Sequence, residues 1–143
     1  MDLTGHVALV TGGGRGLGRA FAEALSRSGA AVAVTARSEE QLAETVKLIE
    51  SAGGRGLAIA GDASDPQSVE QAVTAVEGQL GPVDILVNNA GVSGEIKEEW
   101  LTDPEEWWRT LEINLRGPYM FSRRALPGMI ERGTLARLKE LWG

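Results

Sequence analysis

Five glycines lie within residues 12–18, directly after a short apolar run that ends at Thr11. Apolar residues at helical spacing follow, so the glycines are expected to join a buried strand to a helix. Backbone N–H groups at a helix N-terminus favour an anion, and glycines let a pyrophosphate approach that backbone closely. The spacing therefore predicts a dinucleotide site. A P-loop is disfavoured, because no Lys-Ser or Lys-Thr pair follows the glycines. The alternative is a tight turn without a ligand.

The end of the second predicted strand bears on which dinucleotide binds. An acid at that position would bind the ribose hydroxyls of NAD. The sequence there reads Thr35-Ala36-Arg37-Ser38, with no acid before Glu39. The Arg37 guanidinium can instead contact a 2′-phosphate, with Ser38 donating a hydrogen bond and Arg15 adding a second positive charge. We therefore expect NADP to bind in preference to NAD; alternatively, Arg37 lies on the surface without a ligand.

Apolar runs and helical patterns alternate along the chain and must position these groups. Strands are predicted at 6–11, 31–35, 57–60 and 83–87. Continuous apolar strands between helices are typical of a parallel sheet that is covered on both faces. The sequence thus predicts an α/β fold, a doubly wound Rossmann-type sheet of about four strands. We expect residues 1–133 to form one dinucleotide-binding domain.

Two helices carry specific expectations about which side chains are buried. The first is expected to bury Leu17, Ala20, Phe21, Ala24 and Leu25. The last is expected to run from Asp103 to Ile130 and to bend at Gly117-Pro118. Its inward-facing residues are predicted to be Trp107 or Trp108, Leu111 and Leu115.

Four motifs together resemble the short-chain dehydrogenase/reductase family. They are Thr11-Gly12-x-x-x-Gly16-x-Gly18, Gly61-Asp62-Ala63, Asn88-Asn89-Ala90-Gly91 and Ile113-Asn114-Leu115. Their order and spacing match the family from about Leu3 to Gly133. The resemblance implies an NAD(P)-dependent oxidoreductase with a Rossmann-type fold.

The resemblance also implies a role for individual residues. It assigns the pyrophosphate to Gly12, Gly14, Arg15, Gly16, Leu17 and Gly18, the adenine to Asp62 and Ala63, and the nicotinamide ribose region to Asn88, Ala90 and Gly91. Asn114 is implied to hold a water in the family's proton relay. It is the one member of the family's catalytic set that this sequence matches.

The rest of that catalytic set is a serine and a Tyr-x-x-x-Lys pair, in which the lysine lowers the pKa of the acid/base tyrosine. The 143 residues contain no such pair. Tyr119, the single tyrosine, is followed four residues later by Arg123, at a place where the family has ordinary helix residues. We therefore expect a cofactor-binding portion with little or no turnover of its own. Two alternatives stay open: an active oxidoreductase completed by another chain, and an interaction module with a vestigial nucleotide site.

Residues 134–143 do not resemble the family. Leu135, Leu138 and Trp142 recur at helical spacing, which predicts a short amphipathic helical tail after Thr134. A truncation, a frameshift or engineering would each explain this sequence. The apolar strand Ile85-Leu86-Val87 is expected to lack its familial neighbour, and an unpaired apolar edge invites association. A homo-oligomer is therefore expected, formed through the long helix, the tail or this sheet edge.

The composition excludes several other classes of function. A net charge of −6 gives no general attraction to nucleic acid or to anionic membranes. No apolar run approaches the roughly 20 residues that a membrane span needs. The absence of cysteine rules out disulfides and thiolate metal sites. We expect a cytoplasmic protein without a metal site.

Overall fold

The computed structural model describes residues 2–133, so the predicted tail over residues 134–143 lies outside the described residues. The strands are β1 (Val7–Thr11), β2 (Ala31–Ala36), β3 (Gly56–Ala60) and β4 (Ile85–Val87). The helices are α1 (Gly16–Arg27), α2 (Glu39–Ser51), α3 (Pro66–Gln79), α4 (Pro104–Leu111) and α5 (Gly117–Glu131). A 3-10 turn spans Glu99–Leu101, and a π-helical turn spans Glu112–Arg116.

The strands form one parallel sheet in the order β3-β2-β1-β4. In its register, Leu9 on β1 lies beside Ala33 on β2 and Leu86 on β4. The order reverses at β1, whose two neighbours come from different halves of the chain. This arrangement confirms the predicted doubly wound α/β fold. In such sheets the ligand crevice lies beyond the carboxyl ends of the strands, at the point of reversal.

Each face of the sheet carries its own apolar core, because alternate strand side chains point to opposite faces. On one face, Leu9 packs with Val73 of α3 and Phe121 of α5. On the other face, Val10 and Leu42 belong to a cluster with residues of α1 and α2. On α3, Val69, Ala72 and Val76 are also buried in the first of these cores.

The predicted apolar face of α1 is wrong. Leu17 and Phe21 are 70% and 42% exposed, whereas Gly18, Ala22 and Ser26 are buried. The reason is a close approach of the helix to the end of β1. A Cβ at Gly18 would lie 2.1 Å from the carbonyl oxygen of Gly12, so only glycine fits at this position.

The substitution Gly18→Ala should therefore destabilise the fold. Its methyl group would force α1 away from the loop of residues 12–16 that joins β1 to this helix, which we call the glycine loop. Overpacking of this kind costs about 1–3 kcal/mol. Urea unfolding measures the loss. Gly78→Ala is the matched control: it lies on α3 with no atom within 4 Å of the added Cβ, and it should leave stability unchanged or raise it. Equal midpoints for Gly18→Ala and the unmodified chain would contradict this packing.

The long helix also departs from its predicted face. Helix α4, the π-helical turn and α5 follow without a break, and the departure from α-helical geometry comes immediately before the predicted bend. Trp107, Trp108 and Leu115 are 50%, 55% and 68% exposed, and Leu111 is half-buried. The buried residues are instead Ile113, Gly117, Phe121, Ala125 and Met129, and the last three of these pack in the core that contains Leu9. The π-helical turn has more residues per turn than an α-helix, which shifts the buried face.

Candidate cofactor site

A cleft of about 480 Å³ opens at the carboxyl ends of the strands, where the strand order reverses. The predicted site residues that line it are Gly12, Gly14, Arg15, Gly16, Leu17, Gly18, Arg37, Ser38, Asp62, Ala63, Ala90 and Gly91. They come from four separate stretches of the sequence. The fold therefore brings together nearly all of the residues that were predicted to bind the cofactor.

The glycine loop joins β1 to the first turn of α1. Gly16 is the first residue of the helix and has a φ of +55°, a left-handed conformation that favours glycine. No heavy atom lies within 4 Å of the position that a Cβ at Gly16 would take. A helix N-terminus with bare backbone toward a cleft fits the pyrophosphate of a dinucleotide.

Thr11 and Asn89 fix this loop against the turn that follows β4. The buried Thr11 hydroxyl oxygen accepts hydrogen bonds from the backbone N–H groups of Asn89, at 3.0 Å, and Ala90, at 2.9 Å. In return, the Asn89 side-chain amide donates to the carbonyl oxygens of Thr11, at 3.0 Å, and Gly12, at 3.3 Å. The carboxyl ends of β1 and β4 are thus held together on one side of the cleft.

Two arginines and a serine supply the polar chemistry at the β2 side. Arg37 and Arg15 are exposed and line the cleft. Within residues 2–133, no carboxylate oxygen lies within 4.0 Å of either guanidinium. The Ser38 hydroxyl caps α2 by accepting a hydrogen bond from the Gln41 N–H at 3.3 Å, which leaves its own proton to donate.

Asp62 follows β3 and lies at the same side. Burial opposes ionisation of its carboxyl, but hydrogen bonds from Ser64 and the charges of Arg37 and Arg109 outweigh it, so the pKa of Asp62 is lowered. The Ser64 backbone N–H and hydroxyl donate to one carboxylate oxygen at 2.9 and 2.7 Å. Asp62 is therefore a fixed, ionised acceptor at neutral pH.

Two predicted residues do not line the cleft. Asn88 donates its side-chain N–H to the Ser122 hydroxyl of α5, at 3.1 Å. Asn114 lies in the π-helical turn, where its carbonyl oxygen accepts from the Val92 N–H at 2.8 Å and its amide donates to the Val92 carbonyl at 2.7 Å. Tyr119 is 63% exposed and also lies away from the cleft lining.

Several lining residues were not among those predicted. They are Thr35, Ala36, Gln41, Gly61, Asn89, Val92 and Ile113. Gly61, Asn89 and Ile113 stand within the family motifs quoted above, although no role was assigned to them. Thr35 and Ala36 lie at the end of β2, and the carboxyl ends of parallel strands meet at one edge of a sheet. Gln41 reaches the cleft from α2, and no local signal in the sequence marks it.

A parallel doubly wound sheet with a glycine-rich turn at its point of reversal defines a nucleotide-binding protein of the Rossmann type. The model of the short chain dehydrogenase family matches residues 6–136, and the chain belongs to this family. The loop geometry and the family assignment therefore agree on a nicotinamide dinucleotide as the family's cofactor.

Individual relatives agree with this assignment. The chain is 44% identical to the short chain dehydrogenase pigC of Monascus ruber, over 91% of this chain and 45% of that protein. It is 38% identical to the 3-oxoacyl-[acyl-carrier-protein] reductase FabG of Escherichia coli, over 92% of this chain and 52% of that protein. The chain thus spans about half the length of these curated relatives.

Solved structures show the same likeness. The L-sorbose reductase of Gluconobacter frateurii, complexed with NADPH and L-sorbose, has a TM-score of 0.87 and 35% identity, over 93% of this chain and 51% of that one. A metagenomic short-chain oxidoreductase in complex with NADP has a TM-score of 0.88 and 38% identity, over 92% of this chain and 60% of that one.

Proposed function

We propose that the cleft binds NADP in preference to NAD, and that residues 1–133 form the cofactor-binding domain of a short-chain dehydrogenase/reductase. The observation that carries the preference is the pair Arg15 and Arg37, which line the cleft without a carboxylate partner among residues 2–133. A cation without a carboxylate partner beside a nucleotide cleft favours a phosphate over a hydroxyl. The NADPH and NADP complexes of the similar structures support the same choice.

The residues of the cleft divide between the parts of the cofactor. The N–H groups of the glycine loop would hold the pyrophosphate, Arg15, Arg37 and Ser38 the 2′-phosphate, and Asp62 with Ala63 the adenine. The backbone at Ala90 and Gly91 would lie near the nicotinamide ribose. When bound, NADPH supplies a hydride for carbonyl reduction. The chain's own contribution in this region is therefore binding and orientation.

Asn114 and Asn88 have more restricted roles in this proposal. The Asn114 side-chain amide donates one N–H to Val92 and its oxygen accepts one hydrogen bond from Val92, so one further N–H is available to hold a water. Its carbonyl oxygen lies beside Gly91, which lines the cleft: a Cβ built at Gly91 would be 3.3 Å from that oxygen. Asn88 is assigned only to support of the turn after β4.

The 143 residues contain no Tyr-x-x-x-Lys pair, so we propose that this chain alone binds NADPH without reducing carbonyl compounds. Calorimetric titration with NADPH, beside an NADPH-oxidation screen over aldehydes and ketones, tests this directly. Binding without turnover is the expected result. Turnover that survives purification would favour an active oxidoreductase completed by other groups, and absence of both would favour an interaction module.

We also propose that the chain self-associates. Leu115, Tyr119 and Ile130 leave apolar surface exposed along the π-helical turn and α5, at 68%, 63% and 60% exposure. In the described part of the chain, β4 pairs with a neighbour on one side only. Exposed apolar side chains along one helix are typical of an interface, and a second copy of the chain is the partner we propose.

Light scattering on the unmodified chain should give the mass of a dimer or a larger assembly. Ile130→Asp should shift it toward the monomer, because a carboxylate would be buried in the interface. Leu48→Asp is the control: Leu48 is a partly exposed leucine on α2, outside this surface. A monomer at high concentration for the unmodified chain would refute self-association.

A further inference from the structure

A polar cluster lies behind the glycine loop, on the side away from the cleft. Thr45 of α2 is fully buried, and its hydroxyl, which has one proton to donate, lies 3.0 Å from the carbonyl oxygen of Gly13, 3.1 Å from that of Gln41 and 3.4 Å from that of Gly14. Arg19 of α1 donates one N–H to the Thr45 hydroxyl at 3.1 Å and another to the Gly14 carbonyl at 2.6 Å. Neither Arg19 nor Thr45 lines the cleft.

The charge of Arg19 is directed to the protein and not to the cleft. Its guanidinium forms an ion pair with Glu44 at 2.7 Å and also faces the Gln41 carbonyl of α2, at 3.5 Å. Only 21% of the Arg19 side chain is exposed. Its Nε and Nη2 donors are directed to the protein and Arg19 does not line the cleft, so it is not placed to contact a cofactor phosphate directly.

The hydrogen bonds to the Gly13 and Gly14 carbonyls nevertheless determine which way the N–H groups of the glycine loop point. In a trans peptide the carbonyl and the following N–H point in opposite directions. Fixing the Gly13 carbonyl toward α2 therefore turns the Gly14 N–H away from α2. Fixing the Gly14 carbonyl does the same for the Arg15 N–H. Both Gly14 and Arg15 line the cleft.

We propose that Arg19 and Thr45 are positioning residues that hold the glycine loop in its pyrophosphate-binding conformation. The inference rests on the proposed cofactor site. Glycines lose more conformational freedom on ordering than any other residue, so a loop fixed in advance binds its ligand more tightly. The effect must be confined to ligands that accept hydrogen bonds from the backbone N–H groups of this loop.

The test compares two ligands on the full chain, NADPH and adenosine 2′-monophosphate, which carries the 2′-phosphate but no pyrophosphate. Thr45→Val removes the hydroxyl and keeps the shape of the side chain. Loss of its hydrogen bond to the Gly13 carbonyl should weaken NADPH binding by about tenfold. Binding of adenosine 2′-monophosphate should stay within about twofold, because its proposed contacts are with the side chains of Arg15, Arg37 and Ser38 and with the residues after β3, and not with the N–H groups of the glycine loop.

Three further variants make the result specific. Thr45→Ser keeps the hydroxyl and should retain NADPH affinity. Thr74→Val makes the same chemical change at an exposed position of α3 and should alter neither ligand. Arg19→Lys keeps the charge but cannot reach Gly14, Thr45 and Glu44 together, so it should reproduce the selective loss. If Thr45→Val does not fold, Arg19→Lys tests the same positioning role.

Equal weakening of both ligands would show a general structural role and overturn the proposal. Unchanged NADPH affinity in folded Thr45→Val and Arg19→Lys would overturn it too. If the unmodified chain binds neither ligand, the proposed cofactor site itself fails and the positioning role fails with it. Selective loss for NADPH, restored by Thr45→Ser, supports the proposal.

Discussion

Replacing Arg37 with aspartate should make NADH the more tightly bound cofactor. A charge-assisted hydrogen bond to the 2′-phosphate contributes roughly 1.5–3 kcal/mol, which is about ten- to a hundredfold in affinity. In Arg37→Asp this contact is lost and a carboxylate faces the phosphate. The same carboxylate can accept hydrogen bonds from the ribose hydroxyls of NADH, as an acid at the end of the second strand does in dinucleotide-binding folds. Calorimetric titration of the variant with both cofactors measures the reversal.

Arg27→Asp is the matched control for the change in net charge. Arg27 lies at the last turn of α1, at the opposite edge of the sheet from the cleft, and its side chain is 62% exposed. This variant should keep the unmodified preference for NADPH. If Arg37→Asp also keeps that preference, Arg37 does not contact the 2′-phosphate and the basis of the proposed selectivity is wrong.

Gly16→Val should abolish NADPH binding while the protein stays folded. The valine side chain would extend from the first residue of α1 along the cleft lining, where the pyrophosphate is expected to meet the backbone. Because no protein atom lies within 4 Å of the new Cβ, the fold suffers no steric clash there. It bears only the strain of a left-handed valine, about 1–2 kcal/mol. Circular dichroism and titration with NADPH separate the two effects.

Gly53→Val is a control with the same kind of strain. Gly53 follows α2 with a φ of +82° and also has no atom within 4 Å of an added Cβ, but it does not line the cleft. It should lose a similar amount of stability and keep its NADPH affinity. Retained binding in folded Gly16→Val would mean that the glycine loop is a turn without a pyrophosphate.

The fold was predictable because its strands are continuous apolar runs between helices of clear periodicity. Each predicted strand is present, with bounds that differ by two residues or fewer. The buried face of α1 was not predictable, since the contact of Gly18 with Gly12 selects small residues over Leu17 and Phe21. The buried face of the long helix depends on the π-helical turn, which no local pattern announced.

Some residues of the candidate site could also be predicted from the sequence, and others could not. The glycine loop and Arg37 were identifiable because their roles follow from the positions that they occupy after strands. Asn89 and Thr45 act through hydrogen bonds to residues far along the chain, such as the Asn89 amide to the Thr11 carbonyl. Contacts of that kind exist only once the strands have been placed in order, so the sequence alone did not single out Thr45 and marked Asn89 only as part of the motif of residues 88–91.

Titration of the unmodified 143-residue chain with NADPH and NADH, under one set of conditions, tests the central claim most directly. NADPH should bind about ten- to a hundredfold more tightly than NADH, because Arg15 and Arg37 distinguish a phosphate from a hydroxyl. Equal affinities for the two cofactors, or no binding of NADPH by a folded protein, would contradict it.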